Sequence, residues 1–208
     1  MSPEKRWYDF WIRCPATPTA EILHVRSRLW RRYREPQRAY HNLDHIEACL
    51  AIFDQTRNLA LNPMVVEMAI WFHDAVYDSK RKDNEDRSAV LAGQEIVRLG
   101  GTADFKKKVR RVIRATKHNF VVTELDDQLM CDIDLAGFGK DADDFDADGR
   151  SIRQEYAWVP AADYAKGRSA ILQSFLDRPH IYYLPYFRER YELPARKNLA
   201  RTIAALEN

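Results

Sequence analysis

Histidines stand at positions 24, 41, 45, 73, 118 and 180, and three of them lie beside carboxylates in apolar surroundings. His41 and His45 are four apart in YHNLDHI (Tyr40 to Ile46). On a helix that spacing puts both imidazoles on one face. His73 and Asp74 follow the apolar run of AIWFHDAVYD. MCDIDLAGFG sets Asp132 and Asp134 among apolar residues, where a carboxylate is costly to bury unless something cationic meets it. Imidazoles and carboxylates together suit a divalent transition ion: manganese, iron, cobalt, nickel or zinc. Taken singly, each histidine reads as an ordinary hydrogen-bonded packing residue. The ordered combination is what packing alone does not explain. His24 and His180 stand outside these runs and read as structural.

The elements that must position these groups are helical by period. Asn62 and Pro63 open a segment whose Met64, Met68, Trp71, Phe72 and Ala75 form one apolar stripe, with Val65, Ala69 and Val76 forming a second. A helix apolar on two sides is a buried one. Leu43, Ile46, Leu50 and Phe53 predict another, flanked by His45, Cys49 and Ile52. Asn84 to Leu99 predicts a helix closed by Gly100-Gly101. Thr102 caps the next, whose inner face is Phe105, Val109, Val112, Ile113 and Thr116. Helical patterns also cover 19–34, 146–158, 161–176 and 192–206. The best β-like run is four residues, Phe120 to Thr123. The expectation is an all-α chain of roughly eight to ten helices. It forms a single domain over 1–208, with a site-bearing core about 40–136 and a helical C-terminal part about 140–208.

Composition narrows the function. The chain has 208 residues, with 33 basic and 31 acidic side chains and a net charge of +2. That balance does not point to nucleic acid or to a membrane. No apolar run approaches the ~18 residues of a membrane span. The first residues, MSPEKRWYDFW, carry charge where a signal peptide needs apolar sequence. Cys14, Cys49 and Cys131 are odd in number, widely spaced and without a CxxC, as in a reducing cytoplasm. Nucleophile elbows, Walker A loops, HExxH and dinucleotide-binding glycine motifs are absent.

YHNLDHI, FHDAVYD and DIDLAGFG, in that order, resemble the H…HD…D signature of HD-domain metal-dependent phosphohydrolases. The similarity is greatest to a bacterial subgroup described as predicted HD-superfamily phosphohydrolases. DNEDRSA, IRATKHN, IRQEYAWVP and YAKGR extend the resemblance, so that it covers most of Tyr40 to Arg168. It implies a compact all-α fold and His45, His73, Asp74 and Asp134 as ligands of one divalent metal per chain. Asp132 is then a supporting residue, or exchanges roles with Asp134. YHNxxH also resembles the matching run of cyclic-nucleotide phosphodiesterases. By that likeness His41 donates a proton to the leaving group; the alternative is an orienting hydrogen bond. Water on such an ion becomes hydroxide near neutral pH and attacks phosphorus. The substrate expected is a nucleotide or another small phosphoester. The alternative is a regulatory module of the same fold that binds metal and nucleotide without turnover.

Other groups are weighed against plainer roles. Lys107, Arg111, Arg114 and His118 share a face of the basic segment from Lys106 to His118. The face is either solvated, or Arg114, Lys117 or His118 reaches a substrate phosphate. His118 is the one histidine between His73-Asp74 and Asp134, which favours one metal over two. Arg153 and Tyr156, with Arg168, either clamp phosphate and stack a base or pack helices. Asp78 and Glu85 are candidates to support the ligands. Finally, DFDADGRSIRQE (Asp144 to Glu155) has the spacing of a calcium-binding EF-hand loop. Ser151 stands where that loop needs an apolar residue, so a polar helix entry is the competing expectation.

Overall fold

A computed structural model describes residues 2–12 and 19–207; Cys14 lies outside the described residues. The chain is all-α, and it divides within one helix into two units, Met1–Met130 and Cys131–Asn208. No helix among the described residues is long and apolar enough to cross a membrane.

The first unit is built around α4 (Pro63–Phe72). Pro63 occupies its first turn, where a missing N–H costs nothing. The Asp126 carboxylate accepts the Leu61 amide at 2.8 Å and the Asn62 side-chain amide at 2.9 Å just ahead of that turn. Every residue from Val65 to Phe72 is buried. Glu67 is among them, and its charge is met by Arg6 at 2.7 Å and Arg57 at 2.6 Å. An unpaired buried carboxylate there would be strongly unfavourable.

Around α4 stand α1 (Pro3–Ile12), α2 (Thr19–Tyr33), α3 (Leu43–Thr56), α5 (Asn84–Arg98) and α6 (Ala103–Ala115). Asn42 caps α3 by accepting the Asp44 amide at 2.9 Å. Helix α5 ends where Gly100 adopts φ 75° and the Gly101 amide reaches back to the Ile96 carbonyl at 2.8 Å. That left-handed residue favours glycine. Thr102 caps α6 through the Phe105 amide at 3.2 Å. These boundaries match the expected ones closely. The Phe120 to Thr123 run is an extended link, not a strand, and Val121 is 80 % exposed.

Helix α7 (Leu125–Leu135) contains the division between the units. In the second unit a short turn, Ala136–Gly139, leads to α8 (Ala142–Glu155) and α9 (Ala161–Leu176). A single turn, α10 (Pro185–Phe187), then widens through Arg188–Glu192 into α11 (Leu193–Leu206). Phe138 meets Phe175 edge-on at 5.2 Å, and the Asn198 amide donates to the Phe138 and Lys140 carbonyls at 2.9 Å each.

The EF-hand spacing in α8 is not a calcium loop. Asp144 to Glu155 is helical throughout, and its only glycine, Gly149, lies inside that helix. Asp146 binds Arg201 at 2.8 Å and Asp148 binds Lys140 at 2.7 Å, so two of the would-be ligands already hold cations.

Candidate metal centre

His45 occupies the first turn of α3, and His73 caps the C-terminal end of α4. Their Nε2 atoms lie 3.2 Å apart. The His73 Nδ1 lies 3.0 Å from the Ile70 carbonyl. A carbonyl only accepts, so Nδ1 carries the proton and the Nε2 lone pair faces His45. The Asp74 Oδ2 completes a triangle, 3.1 Å from His73 Nε2 and 3.6 Å from His45 Nε2. A metal held at about 2.1 Å sets adjacent ligand atoms about 3.0 Å apart in an octahedron and about 3.4 Å apart in a tetrahedron. The three edges therefore fit one shared ion. Two imidazoles and a carboxylate on one triangular face are a donor set for a divalent transition metal.

Burial pushes the Asp74 carboxyl up, and without a metal the protonated forms of the His73, His41 and His45 imidazoles more than reverse this and hold it well below the usual carboxylate range. An anionic Asp74 is the form that ligation requires.

Cys49 is the metal-ligating residue type that sequence reasoning passed over. His45, Cys49 and His73 each offer a ligand atom within 4.8 Å of the others, a group that could hold a metal ion. The signal was the four-residue spacing from His45 to Cys49 on α3. The sulfur is 3.8 Å from His45 Nε2 and 4.0 Å from Nδ1. Being nearly equidistant from both nitrogens, it lies against the ring and not along the Nε2 lone pair.

His41 precedes the helix. Asn42 is the cap of α3, so His41 and His45 do not share a helical face as the spacing predicted. The His41 ring instead stacks on Tyr77 at 4.0 Å, with its centroid 6.2 Å from that of His45.

The turns bearing His41 and Asp74 are joined by Arg38, a residue with no motif to announce it. Its guanidinium donates to the carbonyls of His41 at 3.0 Å, Asp74 at 2.6 Å and Ala75 at 3.2 Å. Glu35 balances its charge at 3.1 Å. Tyr33 supports the same place by donating its hydroxyl to the Trp71 carbonyl at 3.0 Å.

The remaining candidates are placed as follows. Asp134 stands on the last turn of α7. Asp132, on the same helix, is fully buried and accepts the Tyr183 and Leu184 amides at 2.8 and 2.7 Å. Burial pushes its carboxyl up to about 7 against the pull of those two amides. Both its oxygens are thus committed to the backbone ahead of α10. Arg114 and Lys117 converge on Asp86 at 2.9 and 2.5 Å, and Arg111 binds Asp127 at 3.0 Å. Much of the basic face of α6 is therefore matched by carboxylates. His118 lies beyond the end of α6 at φ 54°, a left-handed backbone uncommon outside glycine. Arg153 caps α8 through the Tyr156 and Val159 carbonyls at 2.5 and 3.0 Å, and lies over the Tyr164 ring. Tyr156 packs tilted against Tyr164, and Arg168 stands one turn further along α9. Asp78 stabilises its own turn by accepting the Lys80 amide at 2.9 Å, and Glu85 lies in the first turn of α5.

Comparison with protein-family models, with curated proteins and with solved structures finds no match.

Proposed function

We propose that the chain is a metal-dependent phosphohydrolase acting on a nucleotide or another small phosphoester, as its resemblance to HD-domain enzymes implies. The observation that supports this most is the triangle of His45 Nε2, His73 Nε2 and Asp74 Oδ2, with edges of 3.1 to 3.6 Å. A divalent transition metal, when bound, supplies a Lewis acid for a phosphoryl oxygen and lowers the pKa of water. His45, His73 and Asp74 hold it, one ion per chain, and the resemblance assigns a further ligand role to Asp134. His41, stacked on Tyr77, donates a proton to the leaving oxygen. Arg38 acts through the backbone, keeping the His41 and Asp74 turns in register. Three widely spaced cysteines with no CxxC among them support a reducing, cytoplasmic setting.

Elemental analysis of protein purified without added metal or chelator tests the centre, beside a His73→Ala/Asp74→Ala variant. About one transition-metal ion per chain is expected in the wild type and none in the folded variant. A metal-supplemented screen of nucleotides and phosphoesters then tests turnover. A wild type that neither carries nor takes up manganese, iron, cobalt, nickel or zinc overturns the proposal. Bound metal with no turnover across the screen favours the regulatory module instead.

A further inference from the structure

A cavity of about 650 Å³ opens between α2 and α5, within the first unit and lined by none of the three ligands above. Its wall is dominated by guanidinium groups: Arg28, Arg31 and Arg32 from α2 and Arg98 from α5. Two carboxylates share the lining, Glu35 and Glu95, which leaves two positive charges in excess. Both carboxylates are already engaged. Glu95 pairs with Arg28 and lies 3.4 Å from the Arg98 Nε. Glu35 pairs with Arg38, outside the cavity. Arg31 and Arg32 form no ion pair among the described residues. The floor is apolar, with Leu29 and Phe72 both buried.

Four guanidinium groups crowd one cavity without enough anions to match them. The crowding is visible at Arg28, whose guanidinium is lowered from its ordinary value by burial and then by Arg98 and Arg32. Guanidinium forks match phosphate oxygens two by two. A cavity of this volume is within the range, about 300–1,000 Å³, that holds a small molecule. An apolar floor beneath a cationic rim suits a ligand with phosphate groups at one end and an uncharged body at the other.

We propose that the cavity between α2 and α5 is a binding site for a phosphorylated small molecule, separate from the imidazole–carboxylate centre. Arg31 and Arg32 take its phosphate groups, with Arg28 and Arg98 flanking them. The site needs no metal, so it can be tested independently of the hydrolase reading.

The experiment is calorimetric titration of the full chain with inorganic pyrophosphate in EDTA at low ionic strength. Binding at one site is expected. Arg31→Gln/Arg32→Gln should weaken it roughly tenfold or more, while Arg31→Lys/Arg32→Lys, which keeps charge but loses the fork, falls between. His73→Asn and Arg114→Gln/Lys117→Gln should bind as the wild type does. Circular dichroism confirms that each variant is folded; Arg31 is exposed and Arg32 half-buried, so both tolerate substitution. No binding by the wild type overturns the site. So does unchanged affinity in folded Arg31→Gln/Arg32→Gln. Loss in Arg114→Gln/Lys117→Gln instead would put the anion on α6 and overturn it equally. Binding of an RNA oligonucleotide without pyrophosphate would assign the arginines to a macromolecule and overturn the small-molecule site.

Discussion

At the scale of single residues, the candidate centre is a matter of which atom each side chain presents. His73 presents Nε2 because the Ile70 carbonyl holds the Nδ1 proton. His45, His73 and Asp74 were legible in the sequence, since their types and order carry the signal. Arg38 was not legible. An arginine in REPQRAYHN looks like surface charge, and its value lies in three carbonyls that the fold brings to it. Arg38→Lys should therefore lower stability by about 1–3 kcal/mol, because a compact ammonium cannot serve all three carbonyls. It should also weaken metal binding about 10–100-fold, the usual cost of losing a group that orients ligands. Urea unfolding and competitive metal titration read the two effects. A merely structural role would move the first and leave the second. Cys49 gives the complementary case. Its sulfur lies against the His45 ring, so Cys49→Ser should leave the bound-metal count unchanged. The cobalt-substituted wild type should lack a thiolate-to-cobalt charge-transfer band, and its presence would make Cys49 a ligand.

At the scale of elements, helices with a clean apolar period were legible to within a few residues, and α5, α6 and α9 are examples. Helix α7 was not read as a helix, although its aspartates were noticed. The reason is chemical. Asp126, Asp127 and Asp132 interrupt the apolar pattern, and each is satisfied by a group remote in sequence: the Asn62 turn, Arg111 and the Tyr183 amide. No local pattern announces such partners. The EF-hand spacing failed for the converse reason, since a ligand pattern along the chain says nothing about whether the backbone loops or coils. Asp126 tests the dependence of α4 on α7. Asp126→Ala leaves the Leu61 and Asn62 amides without their acceptor at the start of α4. The expected cost is about 2–3 kcal/mol by urea unfolding. A loss below about 0.5 kcal/mol would mean that solvent satisfies those donors and that α4 does not rely on this anchor ahead of its first turn.

At the scale of the molecule, the first unit rests its candidate centre on an aromatic platform that the sequence did not disclose. Helix α1 was unread because Glu4, Lys5, Arg6 and Asp9 surround its aromatic residues. Those residues nevertheless recur at helical spacing, and Trp7, Phe10 and Trp11 are buried. Trp7 is fully enclosed and donates its indole N–H to the Ile22 carbonyl at 3.0 Å. Its ring meets Trp30 at 6.3 Å, Trp71 at 5.7 Å and Phe72 at 6.1 Å. Trp71 and Phe72 are the last two residues before His73, so α1 and α2 together brace the end of α4 from which His73 and Asp74 project. Trp7→Ala removes the shared neighbour of that cluster and should cost about 3–5 kcal/mol, as large-to-small changes in a packed core do. The ligands themselves remain, so metal bound per folded chain should stay near the wild-type value while the unfolding midpoint falls. Equilibrium unfolding in urea and elemental analysis of the folded fraction measure the two separately. A cost under about 1 kcal/mol would show that α1 is an accessory to this unit and that α4 is braced by α2 alone.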